Sequence, residues 1–457
     1  MTQPTDRLPD GPLVAWYADD FTGAAAVMEV LTFAGLPAML FLAPPTQAQL
    51  ARYPDLKGIG VASTARAQSP EWMDAELPDI FAQLAALKPA LMHYKVCSTL
   101  DSSPQVGSIG RAIEIGARGF SPAAVPILIA APQMRRYQCF GHLFAGFGDA
   151  VFRLDRHPVM SRHPVTPMNE ADVARHIALQ SDRIDARCLT LEDIAAGATL
   201  PRIAATPGRI DAVTLDCMDE RTESAVGRLI WKGRDANPFV VGSQGVEYAL
   251  VRHWQDTGQI AAVTAPQGVG KADRMVVVSG SVSPTTAAQI AWAKANGFAG
   301  IAFDATSVCR EPADLDQEIA RAVAACLDAI DRGLDPLVYT AEGPDDPAVE
   351  AFIRAAAGQD LSKVNQRTGD ALGRVLHQTL SHSGVRRAVV SGGDTSGHAT
   401  RQLGIHALSA LAPTIPGAAL FQAHADGPMD GLQLALKGGQ MGSHDYFGWI
   451  RSGGGPR

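Results

Sequence analysis

Short apolar runs alternate with stretches of helical periodicity along almost the whole 457-residue chain. Strands of a parallel sheet are buried on both faces and are joined by crossover helices, so this alternation predicts βα units. In the N-terminal half we predict strands at residues 13–17, 38–42, 58–62, 91–96 and 125–130. The predicted fold class is α/β with mainly parallel sheets.

The chain is longer than one compact core usually organises, so we expect more than one domain. Residues 256–273 read DTGQIAAVTAPQGVGKAD, a stretch with Gly, Pro and Thr but no clear periodicity. After it the alternation restarts, with predicted strands near Met275, Ile301, Leu337 and Ala388. We therefore predict an N-terminal domain at 1–256, a linker at 257–272 and a C-terminal domain at 273–457.

Composition excludes several classes of protein. The 39 basic residues against 47 acidic ones give a net charge of −8, and the absence of a long basic run argues against a nucleic-acid partner. No apolar stretch approaches the roughly 20 residues that span a bilayer, so we expect no membrane partner and a cytoplasmic location. The six cysteines form no C-x-x-C pair, and we predict no metal site built from protein residues alone.

Two strand-to-helix turns in the C-terminal half suit phosphate binding. The turn SGGDTSGH begins at Ser391, and its three glycines let backbone N–H groups converge on an anion. The turn SGSVSP begins at Ser279, with Ser283 as a helix cap and Pro284 as the first helical residue. Neither matches the P-loop or the Rossmann fingerprint, so ordinary turns between strand and helix stay an alternative.

Adjacent carboxylates, Asp19 and Asp20, follow the first predicted strand. Open α/β sheets bind ligands at the carboxyl ends of their strands, and one carboxylate there can orient or deprotonate a substrate hydroxyl. The alternative is that Asp20 only caps the following helix.

Further polar groups lie at the ends of two predicted strands, 91–96 and 58–62. Lys95 can neutralise an anion, while Ser98, Thr99 and Asp101 offer contacts to a polyol. Arg66 carries a planar fork that suits a carboxylate. The alternatives are that these hydroxyls hydrogen-bond the backbone of their own turn, and that the arginine is a solvated surface residue.

In combination these motifs resemble the four-carbon acid sugar kinase family over nearly the whole chain. The stretches that carry the resemblance are ADDFTGA at 18–24, STAR at 63–66, KVCSTLDSSPQVGSIG at 95–110, HPVTPM at 163–168, SGSVS at 279–283, GGDTSG at 392–397 and LALKGGQMG at 434–442.

The resemblance implies a substrate domain followed by a nucleotide domain, with ATP phosphorylating a hydroxyl of a small acid sugar. It implies as ATP contacts the residues Ser281, Gly392, Gly393, Asp394, Thr395 and Gly438. It places on the substrate side Asp20, Arg66, Lys95 and Asp101, to which we add Asp19 and Ser98.

Phosphoryl transfer depends on alignment and charge neutralisation, so we expect an interdomain active-site cleft that closes on both substrates. We choose Asp20 as the base that accepts the proton of the attacking hydroxyl. Magnesium would be held mainly by nucleotide oxygens and water, with Asp394 as a direct or water-mediated ligand.

The CSTLDSS cluster at 97–103 is similar to those of 3-oxo-tetronate and 3-oxo-isoapionate kinases, so a terminal hydroxyl of one of these acids is the expected acceptor. A threonate or erythronate kinase and a non-catalytic sensor of sugar acid or nucleotide stay open, as does a homodimer. A dehydrogenase is disfavoured, because the G-x-G-x-x-G fingerprint is missing.

Overall fold

The computed structural model describes residues 7–200 and 208–457, except the side chains of Ser362 and Asp394. The chain divides into two compact units, one ending at Thr264 and the other beginning at Ala265. This division falls inside the segment 257–272. Both units are α/β, which confirms the predicted fold class.

The N-terminal unit is built on a parallel sheet. Its strands are β1 (Val14–Ala18), β2 (Ala38–Phe41), β3 (Gly58–Ala62), β4 (Leu91–Lys95), β5 (Val125–Leu128), β6 (Arg136–Cys139), β7 (His142–Phe147), β8 (Ala150–Arg153), β9 (Ile184–Leu189), β10 (Ile210–Leu215) and β11 (Phe239–Gly242). Eight of them lie in the order β2-β3-β1-β4-β11-β5-β10-β9, and each neighbouring pair is parallel.

Helices cover this sheet and bury its strands. They are α1 (Phe21–Phe33), α2 (Gln47–Ala51), α3 (Pro70–Ala85), α4 (Ile109–Phe120), α5 (Val173–Ala178), α6 (Leu191–Ala195), α7 (Glu220–Gly233) and α8 (Gly245–Asp256). Every residue of β1 and β4 is buried. Burial on both faces explains why these strands read as continuous apolar runs in the sequence.

A small antiparallel sheet, β6-β7-β8, was not predicted. In β7 every second residue is buried up to Ala145, so the strand presents one face to the protein and one outward. Apolar residues occupy both faces of this six-residue strand, so its sequence shows no alternation of polar and apolar residues that would have revealed it.

The C-terminal unit has a mixed sheet. Its strands are β12 (Val276–Ser279), β13 (Phe298–Ala302), β14 (Asp335–Tyr339), β15 (Arg387–Ser391), β16 (Ile405–Ala412), β17 (Leu420–Ala425) and β18 (Gln433–Lys437). They lie in the order β13-β14-β12-β15-β18-β17-β16. The first five are mutually parallel, whereas β17 and β16 continue the sheet in antiparallel pairing that was not predicted.

The helices of this unit are α9 (Pro284–Ala295), α10 (Pro312–Asp331), α11 (Pro347–Ala356), α12 (Leu361–Ser383), α13 (Gly393–Gln402) and α14 (Tyr446–Ser452). From β12 the chain crosses to β13 on one side, while β15 lies on the other side. The carboxyl ends of β12 and β15 therefore flank a topological switch point, where open α/β sheets bind ligands. Among the described helices, none has the length and apolar character needed to cross a membrane.

Candidate active site

The polar residues predicted in the N-terminal unit meet at one edge of its sheet. Strand β1 lies between β3 and β4, and all three run in the same direction. Asp19 and Asp20 follow β1, Arg66 follows β3, and Lys95 ends β4. The main chain ties these segments together, because Asp19 N donates to Lys95 O at 2.9 Å and Arg66 N donates to Asp19 O at 2.9 Å.

Arg66 is engaged by both carboxylates. Its Nε and Nη2 donate to the two oxygens of Asp19 at 3.1 and 2.7 Å, and Nη2 also donates to Asp20 Oδ1 at 2.8 Å. The predicted carboxylate-binding fork thus holds carboxylates of the protein itself. A role for Arg66 in binding substrate stays a prediction, with its geometry set by Asp19.

Burial and charge oppose each other in this pair. Burial raises the pKa of Asp19, and the positive charge of Arg66 counteracts that rise. Burial would lower the pKa of Arg66, but the charges of Asp19, Cys97 and Asp20 outweigh it, so the guanidinium pKa is raised well above its ordinary value. The bidentate geometry identifies a charged pair.

Asp20 caps helix α1, as the alternative interpretation proposed. Its Oδ1 accepts from Gly23 N at 2.9 Å in addition to the bond from Arg66. No described residue donates to its Oδ2, and the side chain is 27% exposed. One oxygen of Asp20 is therefore structural, and the other is available to a ligand.

Lys95 is an almost fully buried cation, with 2% of its surface exposed. Its Nζ donates to Val96 O at 2.7 Å, and no described carboxylate lies within ion-pair distance. A Cβ atom at position 23 would collide with this ammonium group, so Gly23 is what allows Lys95 to approach helix α1. The remaining protons of the ammonium group suit an anionic ligand.

Asp101 belongs to a cluster that sequence reasoning missed. Thr166 Oγ1 donates a short hydrogen bond to Asp101 Oδ1, and His163 Nδ1 lies 3.8 Å from the same oxygen. His163 Nδ1 accepts from Thr166 N at 3.1 Å, so the ring holds the threonine that orients the carboxylate. The signal was the HPVTPM stretch, which carried the resemblance without a role for either residue.

The other predicted polyol contacts lie in the turn after β4. Ser98 is half-buried and Thr99 is buried. Cys97 Sγ lies 3.1 Å from Thr99 Oγ1. Ser98 stays a predicted substrate contact.

In the C-terminal unit, three loops converge at the ends of adjacent strands. They follow β12, β15 and β18, which are neighbours in this order. Ser283 Oγ and Thr286 Oγ1 donate to Gly439 O at 2.6 and 2.9 Å, and Thr286 Oγ1 also donates to Ser281 Oγ at 3.0 Å. The sequence motifs SGSVS and KGGQM are therefore parts of one hydroxyl-rich cluster.

The loop after β15 needs glycine. Gly392 has φ +129°, and a Cβ there would meet Thr395 at 2.9 Å. Gly393 is the first residue of helix α13, so the N-terminus of this helix lies directly after the loop that follows β15. The backbone of Asp394 lies in this helix, whereas its side chain lies outside the described part of the chain. Gly438 follows β18 directly.

Lys437 was not predicted as a site residue. It ends β18 and is 2% exposed, with Nζ donating to Gly438 O at 3.0 Å and to Thr286 Oγ1 at 3.4 Å. Burial lowers the pKa of Lys437 to about 8. Its signal in the sequence was a lysine at the end of a buried strand beside two glycines.

An apolar cavity of about 180 Å³ adjoins the loop after β12. Its lining combines apolar side chains with a few polar groups, as is usual in pockets that bind small molecules. It is lined by Gly280, Val282, Ala305, Thr340, Ala341, Ala348, Val349, Phe352, Asn365 and Thr368. Among the described side chains, no three His, Cys, Asp or Glu residues form a group that could hold a metal ion.

The chain matches models of two domains in the order of these two units. A sugar-binding N-terminal domain matches residues 14–250, and a nucleotide-binding C-terminal domain matches residues 276–447. These matches define a protein with one sugar-binding domain and one nucleotide-binding domain. The chain belongs to the four-carbon acid sugar kinase family.

Relatives match over nearly their full length. The 3-oxo-isoapionate kinase of Paraburkholderia graminis is 45% identical over 97% of this chain and 95% of its own. The 3-oxo-tetronate kinase of Pectobacterium atrosepticum is 28% identical over 94% of this chain and 96% of its own. A solved structure from Salmonella typhimurium LT2 has a TM-score of 0.73 at 23% identity, covering 96% of this chain and 98% of its own, which shows the fold.

Proposed function

We propose that this protein transfers the terminal phosphoryl group of ATP to a terminal hydroxyl of 3-oxo-isoapionate. The observation that carries the choice of acid is the 45% identity to a 3-oxo-isoapionate kinase, against 28% to a 3-oxo-tetronate kinase. 3-Oxo-tetronate is the second candidate acceptor, since the 3-oxo-tetronate kinase also aligns over 94% of the chain.

The acid sugar binds at the polar edge of the N-terminal sheet. Lys95 pairs with the substrate carboxylate, because its buried ammonium has no described carboxylate partner. Asp101, oriented by Thr166, and Ser98 bond the hydroxyls of the acid. Asp19 fixes the position of the Arg66 guanidinium at this edge.

Asp20 accepts the proton of the attacking hydroxyl at its Oδ2. The hydroxyl oxygen forms a bond to the terminal phosphorus, the bond from that phosphorus to the bridging oxygen breaks, and ADP leaves with the electron pair. Because Oδ1 is held by Gly23 and Arg66, the carboxylate is oriented before substrate binds. A positioned base of this kind contributes roughly 10²–10⁴-fold to the rate.

ATP binds at the three loops of the C-terminal unit. The backbone N–H of Gly393, at the start of α13, faces the phosphates together with Thr395, Ser281 and Gly438, while Gly392 lets the phosphates approach the loop closely because it has no side chain. The base occupies the apolar cavity beside Gly280. Magnesium arrives with the nucleotide as MgATP, and its charge offsets the charge of the phosphates.

The test is a panel of four- and five-carbon acid sugars assayed for ADP release with ATP and magnesium. We expect 3-oxo-isoapionate to give the highest kcat/KM, followed by 3-oxo-tetronate, with threonate and erythronate lower. Highest activity with threonate or erythronate would reassign the substrate. Tight binding of an acid sugar without ADP release would instead favour a sensor.

A further inference from the structure

Lys437 is a buried cation whose contacts do not satisfy it. A structural ammonium group inside a protein is normally paired with a carboxylate or surrounded by good acceptors. Lys437 has two neutral acceptors, Gly438 O at 3.0 Å and Thr286 Oγ1 at 3.4 Å, and no described carboxylate within ion-pair distance. Among the described side chains none supplies an anion for this ammonium group, and we take its charge to be available to a ligand.

Two buried hydroxyls lie in the same row of the sheet. Ser279 pairs with Ser391 in register, and Ser391 pairs with Lys437, so the three residues end three adjacent parallel strands on one face. Both serines are fully buried, and the described residues provide no hydrogen-bond partner for either Oγ. Unsatisfied hydroxyls beside an unpaired ammonium group indicate a polar ligand at this row.

The loops after β12, β15 and β18 approach one another closely around Lys437. The N–H of Gly392 donates to Lys437 O at 2.9 Å, which fixes the loop after β15 to the strand that carries the lysine. A Cβ at Gly439 would strike Ser281 Oγ, so the loop after β18 approaches the loop after β12 only because it has no side chain there. Lys437 thus lies where the loops after β12, β15 and β18 meet.

We propose that Lys437 contacts the terminal phosphate of ATP and stabilises its charge during transfer. This role rests on the proposed function, because it requires that ATP bind at these loops. The ammonium group keeps its protons throughout, while the bond from the terminal phosphorus to the bridging oxygen breaks and the bond to the acceptor oxygen forms. A buried cation aimed at a developing charge acts strongly, since water does not screen it.

The test compares Lys437→Met with the control Lys294→Met. Lys294 lies on α9 of the same unit and its side chain is 41% exposed. Its substitution therefore removes one lysine charge from the unit without changing the proposed phosphate position. Binding of ADP and of a non-hydrolysable ATP analogue is measured by calorimetry, together with kcat and thermal unfolding. Lys437→Gln is the second variant, in case the methionine variant does not fold.

We expect the Lys437 variants to fold, to lose about 10²–10³-fold in kcat, and to bind the ATP analogue at least about tenfold more weakly while ADP affinity changes little. An unchanged kcat, or an equal loss of affinity for ADP and the analogue, would overturn the role. If the wild-type protein phosphorylated no acid sugar, the proposed function would fail. The affinities of the Lys437 variants for ADP and for the ATP analogue would still show whether Lys437 contacts the terminal phosphate.

Discussion

Single residues in the N-terminal site serve structure and chemistry at once. Asp20 caps α1 and orients Arg66 through one oxygen, and leaves the other for a ligand. Both oxygens of Asp19 accept hydrogen bonds from Arg66. Lys95 lies beside Gly23, and no described carboxylate forms an ion pair with it. The arrangements of Asp20 and of the Asp19–Arg66 pair each make a separate prediction.

Replacing Asp20 by Asn should lower kcat by about 10²–10⁴-fold with little change in the KM for ATP, because asparagine cannot accept the proton. Asparagine is also a good helix cap, so stability should change little. The matched control is Asp219→Asn, which alters the cap of α7 and should leave kcat unchanged. Steady-state kinetics and thermal unfolding separate the two, and an unaltered kcat in the Asp20 variant would remove it as the base.

Replacing Arg66 by Leu should lower the free energy of unfolding by about 3 kcal/mol at neutral pH, because Asp19 stays buried without its partner. Burial raises the pKa of Asp19 above its unfolded value, so folding favours the protonated acid. The deficit should therefore shrink as the pH falls through the folded-state pKa of Asp19.

Urea unfolding at a series of pH values measures this effect. Arg209→Leu is the control, since the side chains of its ion pair with Asp185 are 39% and 46% exposed and its loss should change the free energy of unfolding much less. A deficit for Arg66→Leu that is the same at acid and neutral pH would contradict the account.

The sequence predicted which residues share an edge, but not how they pair. Residues after parallel strands share an edge whatever the strand order, so the grouping of Asp20 and Lys95 followed from the pattern. Contacts such as Thr166 to Asp101, 65 residues apart, depend on loop paths that no local pattern records. Lys437 was missed for a related reason, since burial and the absence of a carboxylate are properties of the fold.

At the scale of elements, the predicted strands of the parallel sheets were found within a few residues. The predicted runs 38–42 and 91–96 became β2 (Ala38–Phe41) and β4 (Leu91–Lys95). The antiparallel strands β6 to β8, β16 and β17 were missed, because helix-linked apolar runs were the only signal used. The cavity beside Gly280 was also missed, since its walls come from separate elements that include α11 and α12.

That cavity makes a prediction for α11. Ala348 lines it, so Ala348→Phe should fill part of its volume and raise the KM for ATP about tenfold or more, with little effect on the KM for the acid sugar. Ile353→Phe lies on the same helix but is 63% exposed, and serves as the control. Initial-rate kinetics over both substrates check this, and an equal KM for ATP in the two variants would exclude the cavity as the base pocket.

At the scale of the whole molecule, the order of the two units matches the order of the two domain models. The sequence indicated both units because the alternation of strands and helices pauses at 257–272 and then restarts. The sequence did not identify which acid sugar is the substrate, because a pocket distinguishes substrates by the placement of its side chains. One methylene group changes the discrimination between two substrates by only about 1–3 kcal/mol. The 3-oxo-isoapionate kinase that is 45% identical to this chain indicates which acid to test first.

The central claim is tested most directly by following the phosphoryl group itself. Protein, magnesium and 3-oxo-isoapionate are incubated with ATP that is isotopically labelled in its terminal phosphate, and the products are separated by mass spectrometry. The account predicts that the label appears in a phosphorylated acid in equal amount to the ADP formed. Label found only in inorganic phosphate, or no ADP at all, would contradict it.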